Sequence, residues 1–390
     1  MIVVLLTAWM VIALLASYAT YLYWRLAAGG PTPPIASKVA VLIPIKGTNL
    51  QDGVRDRFFA SCLAQQGVSY RLIFAVESEA DPVVPIISQM MTRDPRVSLV
   101  VAGLASIRGQ KVHNQLAAVA SLRPDDQFIV FIDADTILAP EFLVRLLRPL
   151  MHGAVELASG YRWILPADDR FASKLCALMD WSVATAPRSR RWNLCWGGAM
   201  AISRAALDRI DLPRCWAASL LDDLVLTRAA RALDMVVDTP RQALLQSPVS
   251  HDLRSLFDFG RRQYLFVRVH APWHWCVAGV SLVVPALACA VAVPAAFGGD
   301  GPPLACIIFS LLMQQVRAVL RVAVAKRVLN TDATAQTAAL SRRYHWLLPV
   351  AHLVHLAIWL TSAVGNTMTW AGTRYRLLGP GRVEILSRRP

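Results

Sequence analysis

Four stretches almost free of charge constrain this chain more than any other feature. Residues 1–24, 275–299 and 301–316 contain no Asp, Glu, Lys or Arg, and residues 346–373 carry only histidines as titratable side chains. A helix that crosses a bilayer needs about 20 mostly apolar residues. Three of the stretches reach that length, and 301–316 reaches it by continuing through Arg317 to Leu320. The pattern predicts an N-terminal anchor over residues 1–27 and about three further spans within 273–373. No basic segment precedes the first apolar run and no small-residue cleavage site follows it, so a retained anchor is expected rather than a cleaved leader.

Between these stretches lies a block of soluble character, residues 37–272, entered through the linker Gly29-Gly30-Pro31-Thr32-Pro33-Pro34. Its opening alternates short apolar runs with helical patterns. Runs at 39–44, 71–76, 97–101 and 127–132 read as strands, the first a continuous apolar run as in a strand buried on both faces. Segments 54–65, 82–91 and 110–121 between them read as helices. Strict alternation predicts an α/β domain built on a mostly parallel sheet, with ligands bound at the carboxyl ends of the strands.

Acidic and basic residues gather where that rule points. The fourth strand ends in Asp133-Ala134-Asp135, which can hold a divalent metal against a diphosphate, although acids after strands also serve as turn or cap residues. The second ends in Glu77-Ser78-Glu79-Ala80-Asp81. Arg108-Gly109-Gln110-Lys111 opens a helix, where Gly109 loosens the backbone and Lys111 offers a point charge to a phosphate. Asp222-Asp223 opens another, where two carboxylates also complement the helix dipole. Phe259-Gly260-Arg261-Arg262-Gln263-Tyr264 is basic and amphipathic, as a membrane-surface helix would be. Residues 171–186 are apolar on one face, with Trp181, Trp192, Arg188, Arg190 and Arg191 nearby, which suits a headgroup region or a core helix.

In order and spacing these motifs resemble those of inverting GT-A glycosyltransferases of the processive and lipid-acting superfamily, and within it the ceramide glucosyltransferase-like family. The likeness covers nearly the whole chain. Gln110-Lys111-Val112-His113-Asn114-Gln115-Leu116 is similar to the family's Lys-x-x-Asn donor-site motif, Asp133 and Asp135 to its second aspartate motif, and Cys195-Trp196-Gly197-Gly198-Ala199-Met200 to its glycine-rich strand near the donor sugar. Asp223 matches the third aspartate, the general base, with Asp222 beside it. There are two departures. Ser78 stands between Glu77 and Glu79 where many members carry an aspartate, and the Q-x-x-R-W motif is degenerate, leaving Arg261 or Arg262 to face the pyrophosphate.

The resemblance implies a GT-A (Rossmann-like) domain plus transmembrane helices. It implies a UDP-sugar donor with glucose as the expected sugar, and Mg2+ or Mn2+ held by Asp135 and Asp133. Donor contacts would come from Glu77, Glu79, Lys111, Asn114, Asp133, Gly197, Gly198 and Arg261 or Arg262. The acceptor would be a membrane lipid such as ceramide, another sphingolipid, diacylglycerol or a hopanoid. A processive polysaccharide synthase shares the fold and metal motif but normally has more spans and an intact Q-x-x-R-W. A transporter would need polar residues at the midplane of several spans rather than one large α/β block.

Charge and cysteine usage agree with a membrane enzyme. Lys and Arg outnumber Asp and Glu by 40 to 26. Such an excess belongs in cytoplasmic loops beside spans, and no basic stripe interleaved with aromatics suggests nucleic acid. The seven cysteines lack any CxxC pair and read as reduced thiols. The expected site is a bacterial inner membrane with the α/β block in the cytoplasm. Three C-terminal spans would then place the tail 374–390, with its five arginines, on the far side. That breaks the positive-inside rule unless one stretch is re-entrant, and Gln314, Gln315, Arg317 and Arg321 single out the third. His352 and His355, one turn apart, are expected to make interhelical hydrogen bonds.

Overall fold

The computed structural model describes residues 2–30, 33–47 and 52–388. Pro31 and Thr32 of the expected linker, and Arg389 of the tail, lie outside the described residues. The chain begins with α1 (Ile2–Leu26), β1 (Ile35–Pro44), α2 (Asp52–Leu63), β2 (Val68–Val76), α3 (Val84–Arg93), β3 (Val97–Val101), α4 (Gln110–Ala120) and β4 (Phe128–Ile132). It continues through α5 (Phe142–Met151), β5 (Leu157–Ser159), β6 (Tyr161–Pro166), α6 (Phe171–Ala184), β7 (Ala199–Ser203), α7 (Arg204–Arg209), α8 (Leu212–Cys215) and α9 (Asp223–Arg231). Then follow β8 (Val237–Asp238), β9 (Leu244–Val249), α10 (Leu253–His270), α11 (Pro272–Phe297), α12 (Gly301–Val328), α13 (Thr331–Tyr344) and α14 (Leu348–Ser362). Three strands close the chain: β10 (Thr367–Trp370), β11 (Thr373–Gly379) and β12 (Arg382–Arg388). These elements form two compact units.

The larger unit, Gly29–Arg162, Arg188–Pro248 and Asn366–Pro390, is built on a seven-stranded sheet in the order β3-β2-β1-β4-β7-β5-β8. Strands β3, β2, β1 and β4 run parallel, and β7 is antiparallel to β4 and β5. The doubly wound GT-A arrangement is therefore present. Alternation along β1 explains its unbroken apolar sequence: Val39, Val41 and Ile43 enter one core with Phe58 and Phe74, while Ala40 and Leu42 enter the opposite core with Phe131 and Trp216. The sheet is covered on both faces.

The C-terminal residues are not a loose basic tail. Strands β10, β11 and β12 form an antiparallel sheet in the same unit as the main sheet. The amide of Val383 donates to the carbonyl of Ala218 (2.9 Å), and the Arg388 guanidinium donates to the carbonyl of Ala105. Tyr375, Leu377 and Val383 are buried, while Arg374, Arg376 and Arg382 between them are exposed. Gly381, at φ 70°, shapes the hairpin turn.

The second unit, Met1–Ala28, Trp163–Pro187 and Val249–Gly365, is helical but for the β6 and β9 residues at its margins. Among the described residues, α1, α11 and α12 are long and apolar enough to cross a bilayer. Helix α12 runs unbroken through Gln314, Arg317 and Arg321 for 28 residues, roughly 42 Å at 1.5 Å per residue. The last apolar stretch, expected to be a span, behaves differently. Its helix α14 has 15 residues, about 22 Å and short of a hydrocarbon core of about 30 Å. Gly365, at φ 72°, then turns the chain toward β10. Composition alone hid that ending, because the glycine, asparagine and threonines after Val364 carry no charge.

Helix α6 likewise departs from a membrane-surface role. Most of its residues are buried, and Trp181 stacks on Trp163 with ring centroids 5.3 Å apart while donating Nε1–H to the Ile164 carbonyl. It is a core helix of this unit. His352 Nε2 meets the carbonyl of Leu282 on α11 (2.9 Å), and His355 Nε2 meets Tyr264 Oη on α10, as the one-turn spacing predicted.

Candidate active site

Parallel strands deliver their carboxyl ends to one edge of the sheet, so β1, β2 and β4 bring Lys46, Glu77 and Asp133 to the same side. Lys46 Nζ lies 3.6 Å from Glu77 Oε2. Glu79 and Ser78 are exposed. Asp81 accepts the amides of Gly47 (3.0 Å) and Val83 (2.9 Å), tying the end of β1 to the start of α3. Antiparallel β7 pairs Ala199 with Ile132, which sets the preceding glycines against the β4 end. The Asp133 amide donates to the Gly198 carbonyl at 3.1 Å.

Lys111, one residue into α4, forms the centre of this edge. Its Nζ lies 2.8 Å from Asp133 Oδ1 and 3.0 Å from Asp222 Oδ2, and it donates to the Gly197 carbonyl at 3.0 Å. A Cβ on Gly197 would stand 2.8 Å from both Lys111 Nζ and Asp222 Oδ1, so only glycine leaves room for this junction. Gly109 has a similar reason. Its backbone is ordinary at φ −65°, but a Cβ would come within 2.9 Å of the Leu220 carbonyl oxygen. Close approach, rather than loosened backbone, accounts for this glycine.

The two acids of the Asp222-Asp223 pair occupy different surroundings. Asp222 is buried; its Oδ2 also accepts from Gln115 Nε2 (2.8 Å), and its carbonyl accepts Trp216 Nε1–H (3.1 Å). Asp223 is half-buried, with Oδ2 accepting the Gly197 amide (2.8 Å) and Oδ1 the Leu224 amide (2.6 Å). Asp223 is therefore the more reachable carboxylate.

Electrostatics follow from this crowding. Burial would lower the Lys111 pKa, but Asp133, Asp222 and Asp223 outweigh it and raise the value, so Lys111 is a fixed cation. Burial pushes the Asp133 carboxyl up to about 7; Lys111 opposes this, and Asp135 and Asp222 reinforce it. Asp223 is pushed up to about 6, first by burial and then by Asp222, against Lys111. Asp135 is exposed in the turn after β4, a turn closed by a hydrogen bond from Thr136 Oγ1 to the Asp133 carbonyl (2.9 Å).

Other expected donor contacts have bonding partners of their own. Asn114 is buried, and its Nδ2 donates to the Ala75 carbonyl at 3.1 Å, tethering α4 to β2. Arg261 belongs to the helical unit, where its guanidinium donates to the carbonyls of Thr361 (3.1 Å) in the last turn of α14 and Val364 (2.9 Å) just beyond it. Arg262 in the same helix lies over the Phe259 ring, 5.6 Å from its centroid. Gln115, Trp216 and Lys46 are the participants that the motif reading passed over. Gln115 stood inside the quoted run, but nothing in its spacing marks it as a partner of Asp222.

A doubly wound sheet with a lysine and acids converging at its carboxyl edge, in a chain with helices of spanning length, fits a membrane-associated transferase of GT-A type. The family model for glycosyl transferase family 21 matches residues 5–383, and the chain belongs to that family. It is a glycosyltransferase. No curated protein matches the chain. Among solved structures it is similar to a mannosyltransferase from Pyrobaculum calidifontis in complex with GDP-Man and Mn2+, at 16% identity over 92% of this chain and 99% of that one, with a TM-score of 0.46. It is also similar to glucosyl-3-phosphoglycerate synthase from Mycobacterium tuberculosis, at 16% identity over 61% of this chain and 81% of that one, with a TM-score of 0.40.

Replacing Lys111 tests the centre of the cluster. Removing one partner of a buried ion pair typically costs about 3–5 kcal/mol, and Lys111→Ala leaves Asp133 and Asp222 without their cation. We expect a marked fall in thermal stability together with weaker donor binding, read by denaturation and by titration with the nucleotide sugar. Donor affinity and stability both at the wild-type level would reduce Lys111 to a bystander.

Proposed function

We propose that this protein is an inverting membrane glycosyltransferase that moves a sugar, glucose by its resemblance, from a UDP-sugar to the hydroxyl of a membrane lipid. Ceramide, another sphingolipid, diacylglycerol and a hopanoid are the acceptors in view. The observation that carries this reading is the junction of Lys111, Asp133, Asp222 and Gly197, with Asp223 at its rim, in a chain that its family covers almost throughout.

In this reading the donor diphosphate lies along the carboxyl edge of the sheet. Glu77 and Glu79 hold the nucleoside, with Lys46 beside Glu77. Lys111 is a preorganised cation near the charge that develops as the sugar–phosphate bond breaks. Asp135 and Asp133 would hold Mg2+ or Mn2+. The donor set fits: two carboxylates are what such an ion takes when phosphate oxygens and water complete its shell. When bound, the ion would supply Lewis-acid stabilisation of the leaving group worth several kcal/mol.

Asp223 accepts the proton of the acceptor hydroxyl while the hydroxyl oxygen attacks the anomeric carbon from the face opposite the diphosphate, and the sugar–phosphate bond breaks to release the nucleoside diphosphate. One displacement inverts the centre, so an α-linked donor yields a β-linked product. Proton NMR of the purified glycolipid tests this step. A β-anomer is expected, and an α-anomer would exclude single displacement.

The chain's course supports one topology. Strands β10–β12 share a unit with the catalytic sheet, so both lie on one side of the membrane, and α11 and α12 provide an even number of crossings between them. Arg374, Arg376, Arg382 and Arg388 then lie on the same side as the catalytic block, as the positive-inside rule favours. We place that side in the cytoplasm of a bacterial cell, at the inner membrane.

A further inference from the structure

Helix α12 carries Gln314, Arg317 and Arg321 at spacings of three and four, which puts them on one face. That face lines a partly open cavity of about 70 Å3 within the helical unit, together with Met179 and Ser182 of α6 and His352 of α14. Arg321 is only 5% exposed. The Nε atoms of both arginines, and Oε1 of Gln314, are buried without a hydrogen-bond partner, and no carboxylate pairs with either guanidinium among the described residues. The two lining histidines do not serve either, because their Nε2 atoms already meet Leu282 and Tyr264.

The buried Arg321 and the half-buried Arg317, one turn apart, repel each other, and each lacks the counter-charge that a low-dielectric site demands. Ionisable residues inside a span mark a functional site by default. Their depth indicates what they meet. Arg327, near the C-terminal end of α12, lies 3.9 Å from the centroid of the Trp24 ring at the end of α1, a basic and aromatic pair of the kind found at a membrane interface. Arg321 is six residues earlier, roughly 9 Å deeper along the helix. Basic pockets between spans just below the interface suit anionic headgroups, and the guanidinium fork matches a phosphate bidentately.

We propose that this cavity binds the phosphate of an anionic phospholipid, seated on Arg317 and Arg321. The site belongs to the helical unit, and the proposal depends on α12 spanning the membrane but not on sugar transfer. The full-length protein in a neutral detergent provides the test, with thermal unfolding followed by tryptophan fluorescence. Mixed micelles of phosphatidylglycerol should raise Tm by about 2 °C or more, as a ligand of the folded state does, while phosphatidylcholine should not. Arg317→Gln and Arg321→Gln should each abolish most of that rise, and in detergent alone each should be at least as stable as wild type. Arg327→Gln should keep the rise.

An equal rise in wild type and both variants, or no preference for phosphatidylglycerol, would overturn the proposal. A rise with inorganic phosphate but not with the lipid would overturn the lipid as its source. If neither variant folds, native mass spectrometry of the wild type decides: retention of phosphatidylglycerol over phosphatidylcholine supports the site, and equal retention rejects it.

Discussion

Asp223→Asn should bind the nucleotide sugar as wild type does yet turn over at least about a hundredfold more slowly, the lower end of what a general base contributes. The exchange keeps one oxygen acceptor for either the Gly197 or the Leu224 amide and forfeits the other bond, a loss of about 1 kcal/mol. Asp222→Asn should show the opposite pattern. That carboxylate is buried on Lys111 and Gln115, so stability should fall by about 3 kcal/mol while turnover suffers less. If Asp222→Asn is the catalytically dead variant and Asp223→Asn remains active, the base lies one residue earlier than assigned.

The same residue sets a pH dependence. With its carboxyl pushed up to about 6, Asp223 is ionised and able to accept a proton above that value. As pH falls through it the base is neutralised, so kcat/KM should drop about tenfold per pH unit below about 6. A kcat/KM flat down to pH 4.5 would place the proton acceptor elsewhere.

Asp135→Ala, or an excess of chelator with the wild-type enzyme, should reduce transfer to background. A Lewis acid worth several kcal/mol corresponds to at least about a hundredfold in rate. Asp135 is exposed, so the substitution should alter stability by no more than about 0.5 kcal/mol, which separates loss of the metal from loss of the fold. Mg2+ or Mn2+ added back should restore the chelated wild type and leave Asp135→Ala slow. Full activity in excess EDTA would remove the ion from the mechanism.

The strands that carry the site were legible because a sheet covered on both faces writes itself as continuous apolar runs; β1, β2, β3 and β4 lie where those runs are. Asp133, Lys111 and Asp223 stood out as charges at the ends of such elements. Their supports did not, since the bonds of Gln115 and Trp216 to Asp222 are contacts across the fold that no local spacing encodes. Strands β11 and β12 were masked by their arginines, although Tyr375 and Leu377 facing Val383 and Ile385 across the Gly379-Pro380-Gly381 turn carry the period-two signal. The short helix α14 was concealed for the opposite reason: an uncharged sequence continues past the point where the helix ends.

The most direct test is transfer itself. Purified full-length protein in detergent, given a panel of radiolabelled UDP-sugars, extracted membrane lipids and Mg2+ or Mn2+, should produce label that partitions into the organic phase, most from UDP-glucose, and Asp223→Asn should not. Label recovered only in a water-soluble polymer, or no lipid-bound label from any sugar on the panel, would contradict a lipid glycosyltransferase.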